Sequence, residues 1–86
     1  MLEPAFTSPN PRSLLSPREL EVLEMASLGL TNWQIAARLQ VTVHAVKFHL
    51  AGIYRKLGVT NRTEAAVMFL RADRPYPLAD AGDVLA

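Results

Sequence analysis

Apolar residues recur at spacings of three and four through the middle of this chain, and residues that start or stop helices interrupt the recurrence. The clearest stretch runs from Thr42 to Gly58, where Val43, Val46, Leu50, Ile53 and Leu57 share one side of a helix. At 3.6 residues per turn these five fall within roughly 80° of one another. Thr42 can cap the start of such a helix and Gly58 can stop its end. The opposite arc carries His44, Lys47, Phe48, Ala51 and Arg55. The pattern therefore predicts a helix over 43–57 with a buried apolar seam and a basic, partly apolar outer face.

Similar signals predict three further helices. Ser16-Pro17-Arg18-Glu19 combines a capping serine, a proline at the first helical position and a glutamate three residues on, with Leu15 and Leu20 placed as a hydrophobic staple. Glu19, Glu21 and Glu24 lie toward the positive end of that helix, Leu20, Leu23 and Ala26 supply its seam, and Gly29 ends it. Thr31-Asn32-Trp33-Gln34 is a second capping box, with Leu30 and Ile35 as staple, and it opens a helix of barely two turns. Gln40-Val41 makes a brief turn before Thr42, where Val41 and Val46 repeat the staple but Ala45 replaces the partner of a capping box.

The last helix, over 61–72, is apolar on two sides. Thr63, Ala66, Val67 and Leu70 lie on one, and Ala65, Met68, Phe69 and Ala72 on the other. So small a domain has too little protein to cover both. The face of Ala65, Met68, Phe69 and Ala72 is assigned to a second copy of the chain, so Phe69→Asp is expected to weaken self-association and leave the fold intact.

The predicted fold is all-α, a four-helix bundle-like domain over 15–72. A proline-rich arm over 1–14 holds Pro4, Pro9 and Pro11, and a tail over 73–86 holds Pro75, Pro77 and Gly82. Both read as flexible segments. With 86 residues, of which 50% are hydrophobic, one small domain can build a core without staples. The absence of cysteine excludes disulfides, thiolate catalysis and cysteine-ligated zinc. No apolar run approaches the roughly 20 residues of a membrane span and no signal pattern opens the chain, so a soluble, cytoplasmic protein is expected.

Charge sharpens the reading through its distribution. The net charge is only +1, yet no acid lies between Glu24 and Glu64, an interval that holds Arg38, Lys47, Arg55, Lys56 and Arg62. The outward face of the 43–57 helix sits inside this basic half. His44 and His49 are five apart, about 140° around a helix, so they do not share a metal as an i, i+4 pair would. No aspartate orients either as a base and no serine or cysteine partners them. No enzyme activity, catalytic residue, metal or cofactor is expected.

A short helix, a tight turn and a longer basic-faced helix make a helix-turn-helix unit, in which the first helix crosses the DNA backbone and the second enters the major groove. The blocks LSPRELEVL, GLTNWQIAARL, TVHAVKFHL and IYRKLGVTNRTEA, in this order and spacing, resemble the DNA-binding domain of LuxR/FixJ/NarL-type bacterial transcription regulators over about Leu15 to Leu70. The resemblance implies that Lys47, Phe48 and Ala51 face base edges, the same residues that the helical wheel turns outward. Lys47 would then hydrogen-bond guanine O6 or N7, and Phe48 would pack against thymine methyls. Thr31, Asn32, Trp33, Thr42, His44, Arg55, Lys56 and Arg62 are expected along the phosphate backbone, from helix starts or as cations.

Several positions depart from the common family pattern. Ala51 is small where a longer polar or basic side chain is frequent, and Phe48 is larger than the frequent valine. Ala45 stands where a hydroxyl is common, Trp33 where a lysine often sits, and Gln40 in place of a turn glycine. These changes bear on the DNA sequence preferred. The expected partners are double-stranded DNA with a two-fold operator, a second copy in a weak homodimer, and RNA polymerase. The alternative is a protein-interaction module that uses the same fold to bind a polymerase subunit or a partner regulator. Both a stand-alone regulator and the output domain of a longer one fit, with Met1 favouring the former.

Overall fold

The computed structural model describes residues 10–72. They form five helices, α1 (Pro11–Leu14), α2 (Pro17–Ser27), α3 (Asn32–Leu39), α4 (Val43–Leu57) and α5 (Arg62–Ala72), with no strand among the described residues. The capping chemistry explains where three of them begin. Ser16 Oγ accepts from the Glu19 backbone N–H at 3.1 Å while the Ser16 N–H donates to Glu19 Oε1 at 2.9 Å, a complete capping box. Thr31 and Gln34 repeat it at α3, with distances of 3.1 and 2.8 Å. At α4 only half survives: Thr42 Oγ1 accepts from the Ala45 N–H at 2.9 Å, and alanine returns nothing.

The helices also end alike. Gly29, Gln40 and Gly58 adopt left-handed backbone, with φ of 92°, 59° and 71°. The next residue then turns its N–H back five positions: Leu30 to the Met25 carbonyl, Val41 to that of Ala36, and Val59 to that of Tyr54. Each of these aliphatic residues packs against the core, which is the hydrophobic contact that accompanies this closure. A threonine follows in every case. Gly29-Leu30-Thr31, Gln40-Val41-Thr42 and Gly58-Val59-Thr60 are thus three versions of one corner that ends a helix, seals the core and leads into the next cap.

The core gathers Val22, Leu23 and Ala26 from α2, Ile35 and Ala36 from α3, Val46, Leu50, Ile53 and Leu57 from α4, and Ala65 and Phe69 from α5. α2 lies against α4 and α5, and α3 packs on α4 and also touches α2. Within α2 the seam differs from expectation: Val22 is fully buried and Leu20 only half-buried. Val43 is likewise only half-buried at the start of α4, packed against the edge of the core.

Two larger corrections follow from packing. The arm expected over 1–14 is helical at its end. Asn10 caps α1 by accepting from the Arg12 N–H at 2.9 Å, Pro11 occupies the first helical position where its missing N–H costs nothing, and its ring is fully buried. α1 touches α4 and α5, and the Arg12 guanidinium lies 5.2 Å from the centroid of the Phe69 ring. Residues 1–9 and the expected tail over 73–86 lie outside the described residues.

The second correction reverses α5. Ala65 is fully buried, Phe69 nearly so, and Met68 packs on the core, whereas Val67 and Leu70 are the exposed large apolar residues. Ala72 is exposed at the helix end. The face assigned to a second copy is therefore the inner one. The sequence pattern is symmetric, but the packing is not: Phe69 is the largest apolar side chain on the helix and gains most from burial, and Ala65 lets α5 approach closely.

Candidate nucleic-acid interface

α4 presents the face that its wheel predicts. His44, Lys47, Phe48, Ala51 and Arg55 are all exposed, on the arc opposite Val46, Leu50, Ile53 and Leu57. Phe48 is 71% exposed, an unusual position for a phenyl ring, and among the described residues its one ring contact is an edge-on approach to the half-buried His49 at 5.9 Å. The Gln40 corner brings the start of α4 close behind the end of α3 in sequence, so the two helices are joined by three residues, Gln40, Val41 and Thr42.

At the start of α3, Thr31 and Trp33 are exposed, and Trp33, at 75%, is the more exposed of the two outward aromatics. With three quarters of the residue open, the indole lies largely on the surface of the helix-turn-helix. Thr42 is also exposed, with its hydroxyl engaged by the α4 cap. Four expected backbone contacts on α4 and the caps, Thr31, Thr42, His44 and Arg55, thus lie on open surface, as does Trp33.

Lys56, Arg62 and Asn32 are engaged within the fold. Lys56 Nζ donates to Glu19 Oε1 at 2.8 Å, tying the last turn of α4 to the first turn of α2. Arg62 reaches from the start of α5 to the corner before α3, donating to the Leu30 carbonyl and, at 3.0 Å, to Asn32 Oδ1. These three side chains serve as ties between parts of the fold in this arrangement. Lys56 and Arg62 act as the donors, to a buried carboxylate and to a half-buried amide and carbonyl that need partners, and Asn32 is one of the acceptors. Arg38, Lys47, Arg55 and Lys56 are the exposed cations of the acid-free interval, Lys56 with its ammonium engaged by Glu19.

The residue that sequence reasoning placed only as a helix cap is Glu19. It is buried, at 8% exposure, and carries two roles at once, capping Ser16 and accepting from Lys56. Burial alone pushes its carboxyl up, but the hydrogen bonds from Lys56 and Ser16 and the lysine charge outweigh it and hold the group below the ordinary carboxylate range. The visible signal was the acid three residues after a capping serine; nothing in the chain pattern pointed to its partner 37 residues away. No group of acids and histidines among the described residues could hold a metal ion, and no helix there is long and apolar enough to cross a membrane.

Comparison with known proteins bears directly on this arrangement. The family model described as bacterial regulatory proteins, luxR family, matches residues 13–69, from α1 almost to the end of α5. The chain belongs to this family. Within the luxR family it is 42% identical over 71 residues to the transcriptional activator protein BjaR1 of Bradyrhizobium diazoefficiens, a match that takes in 83% of this chain and 28% of that protein. It is 42% identical over 62 residues to the nitrate/nitrite response regulator protein NarP of Escherichia coli, across 72% of this chain and 29% of the other. The transcriptional regulatory protein LiaR of Bacillus subtilis is 44% identical over 57 residues, across 66% and 27%. The chain spans less than a third of the length of these relatives. Membership agrees with the all-helical architecture and with the resemblance carried by the four sequence blocks.

Proposed function

We propose that this chain is a DNA-binding transcription regulator, or the DNA-binding part of one, that sets α4 in the major groove and binds a two-fold site as a dimer. The carrying observation is the outward face of α4, where an exposed lysine and an exposed phenylalanine stand one residue apart on a helix seated by a short partner helix. In this reading Lys47 donates to guanine O6 or N7, Phe48 packs on thymine methyls, and Ala51 leaves room for a base edge but adds little readout. Arg55 supplies a phosphate contact, and Thr31, Trp33, Thr42 and His44 line the backbone on either side. Asn32, Lys56 and Arg62 support these contacts from within the fold. The names of the relatives, an activator and a response regulator among them, support a role in transcription without fixing its sign.

The self-association surface in this reading is the outer side of α5, where Val67 and Leu70 are 42% and 48% exposed. Two aliphatic side chains make a small patch, so the free chain is expected to dimerise weakly and to pair on DNA. Contact with RNA polymerase and a cytoplasmic location belong to the same proposal. Selection from a random duplex library is the test: a short two-fold motif should be enriched, and its affinity should fall steeply as salt rises. Recovery of no motif, with binding indifferent to salt, would reject the reading.

The exposed Trp33 and Phe48 favour one alternative, a protein-interaction module whose aromatics dock on a polymerase subunit or partner regulator. Such an apolar surface would hold its partner at high salt, where phosphate binding is lost.

A further inference from the structure

Glu19 sits where no DNA-facing role is open to it, yet it grips α4 beside the face that would read DNA. Its Oε1 accepts from Lys56 Nζ at 2.8 Å and from the Ser16 N–H at 2.9 Å. Its Oε2 lies against the backbone of α4 at Gly52, where an added Cβ would come within 3.2 Å of it. Gly52 is buried although its position borders the outward arc. At about 100° per residue, positions 52 and 56 fall on one flank of α4, roughly 40° and 80° around from Phe48. The carboxylate therefore holds α4 at two points, by close approach one turn before its end and by an ion pair in its last turn. The apolar seam fixes the depth of α4, but aliphatic contacts are non-directional and resist rotation about the helix axis weakly. A charged hydrogen bond on the flank resists it directly.

We propose that Glu19 is a positioning residue for base reading: through Lys56 and the cleft at Gly52 it fixes the rotation of α4 about its own axis, and with it the aim of Lys47 and Phe48. The inference rests on the DNA-binding reading above. It assigns Lys56 to specificity and not to phosphate neutralisation. Loss of the tie is felt where geometry matters, at base edges, and not in the sequence-independent attraction of phosphates.

The test compares the full chain with E19Q, K56M and K56R on two probes, the duplex enriched from the random library and a random-sequence duplex of equal length. K56M leaves the capping box of α2 untouched, so it remains informative if E19Q folds poorly; urea unfolding of each variant establishes the folded fraction. The expected result is a fall of about tenfold in the ratio of enriched to random affinity for E19Q and K56M, the size of one weakened base contact. K56R, which keeps the cation, should restore most of it, and the salt dependence on random duplex should stay that of the wild type. An unchanged ratio in folded K56M, whatever its stability, overturns the proposal. So does an equal loss on both duplexes with a shallower salt dependence, which would make Lys56 a phosphate contact. A wild-type chain that shows no salt-dependent duplex binding overturns the DNA-binding reading itself, and this proposal with it.

Discussion

Individual side chains divide into those that face outward and those that hold the frame, and the division is testable one residue at a time. Lys47→Ala should weaken binding to the enriched duplex by roughly 1–3 kcal/mol and relax preference at one base position, measured by titration against single-base variants. Arg62→Met should behave oppositely. Its guanidinium ties the Leu30 carbonyl and Asn32 to the start of α5, so the variant should unfold at lower urea while its binding to random duplex keeps the wild-type salt slope. A slope reduced by about 0.9 would instead return Arg62 to the phosphates. Gln40 stands at a φ of 59°, a conformation unfavourable for a residue with a Cβ. Gln40→Gly should raise the unfolding free energy by about 0.5–1 kcal/mol, the relief of backbone strain less the extra freedom of glycine in the unfolded chain.

Whole elements show how far the sequence could be read. Capping boxes and staples located α2, α3 and α4 because those signals act within one turn, and local chemistry is written locally. α1 escaped because proline was weighed as a breaker, although behind an asparagine cap it starts a helix. α5 was found and turned the wrong way: with alanines and large apolar residues on both sides, only the shape of the neighbouring helices decides which side goes in. The outward face of α4 was legible in full, since its wheel has a single apolar arc. The roles of Lys56 and Arg62 were not, because the carboxylate and carbonyl that engage them are 37 and 32 residues distant. The corrected α5 makes a clear prediction. Phe69→Asp should abolish folding, seen as loss of cooperative unfolding, whereas Leu70→Asp should leave stability nearly unchanged and weaken self-association in sedimentation experiments. Matching losses of stability in both variants would contradict the inward placement of Phe69.

At the scale of the molecule, stability should depend on acid through Glu19. Its folded-state carboxyl lies below the ordinary range, so the contribution is complete above the unfolded value of about 4.3 and is lost as pH falls through the folded value. Urea midpoints measured from about pH 6 to about pH 3 should fall, and E19Q should start lower and fall less. The exposed Glu64, held down by the Thr60 N–H and hydroxyl, shifts in the same direction, so some acid sensitivity should survive in E19Q. The three aliphatic–threonine corners bear on a different quantity. Each changes the chain direction within a few residues and is closed by backbone hydrogen bonds to the helix it ends, leaving the two helices of the helix-turn-helix little to order when a partner arrives. Calorimetry of duplex binding should therefore show a heat-capacity change that matches the surface buried at the interface, with no added contribution from folding within residues 10–72. The conformational entropy of the reading surface is lost once, during folding, and not again at each encounter.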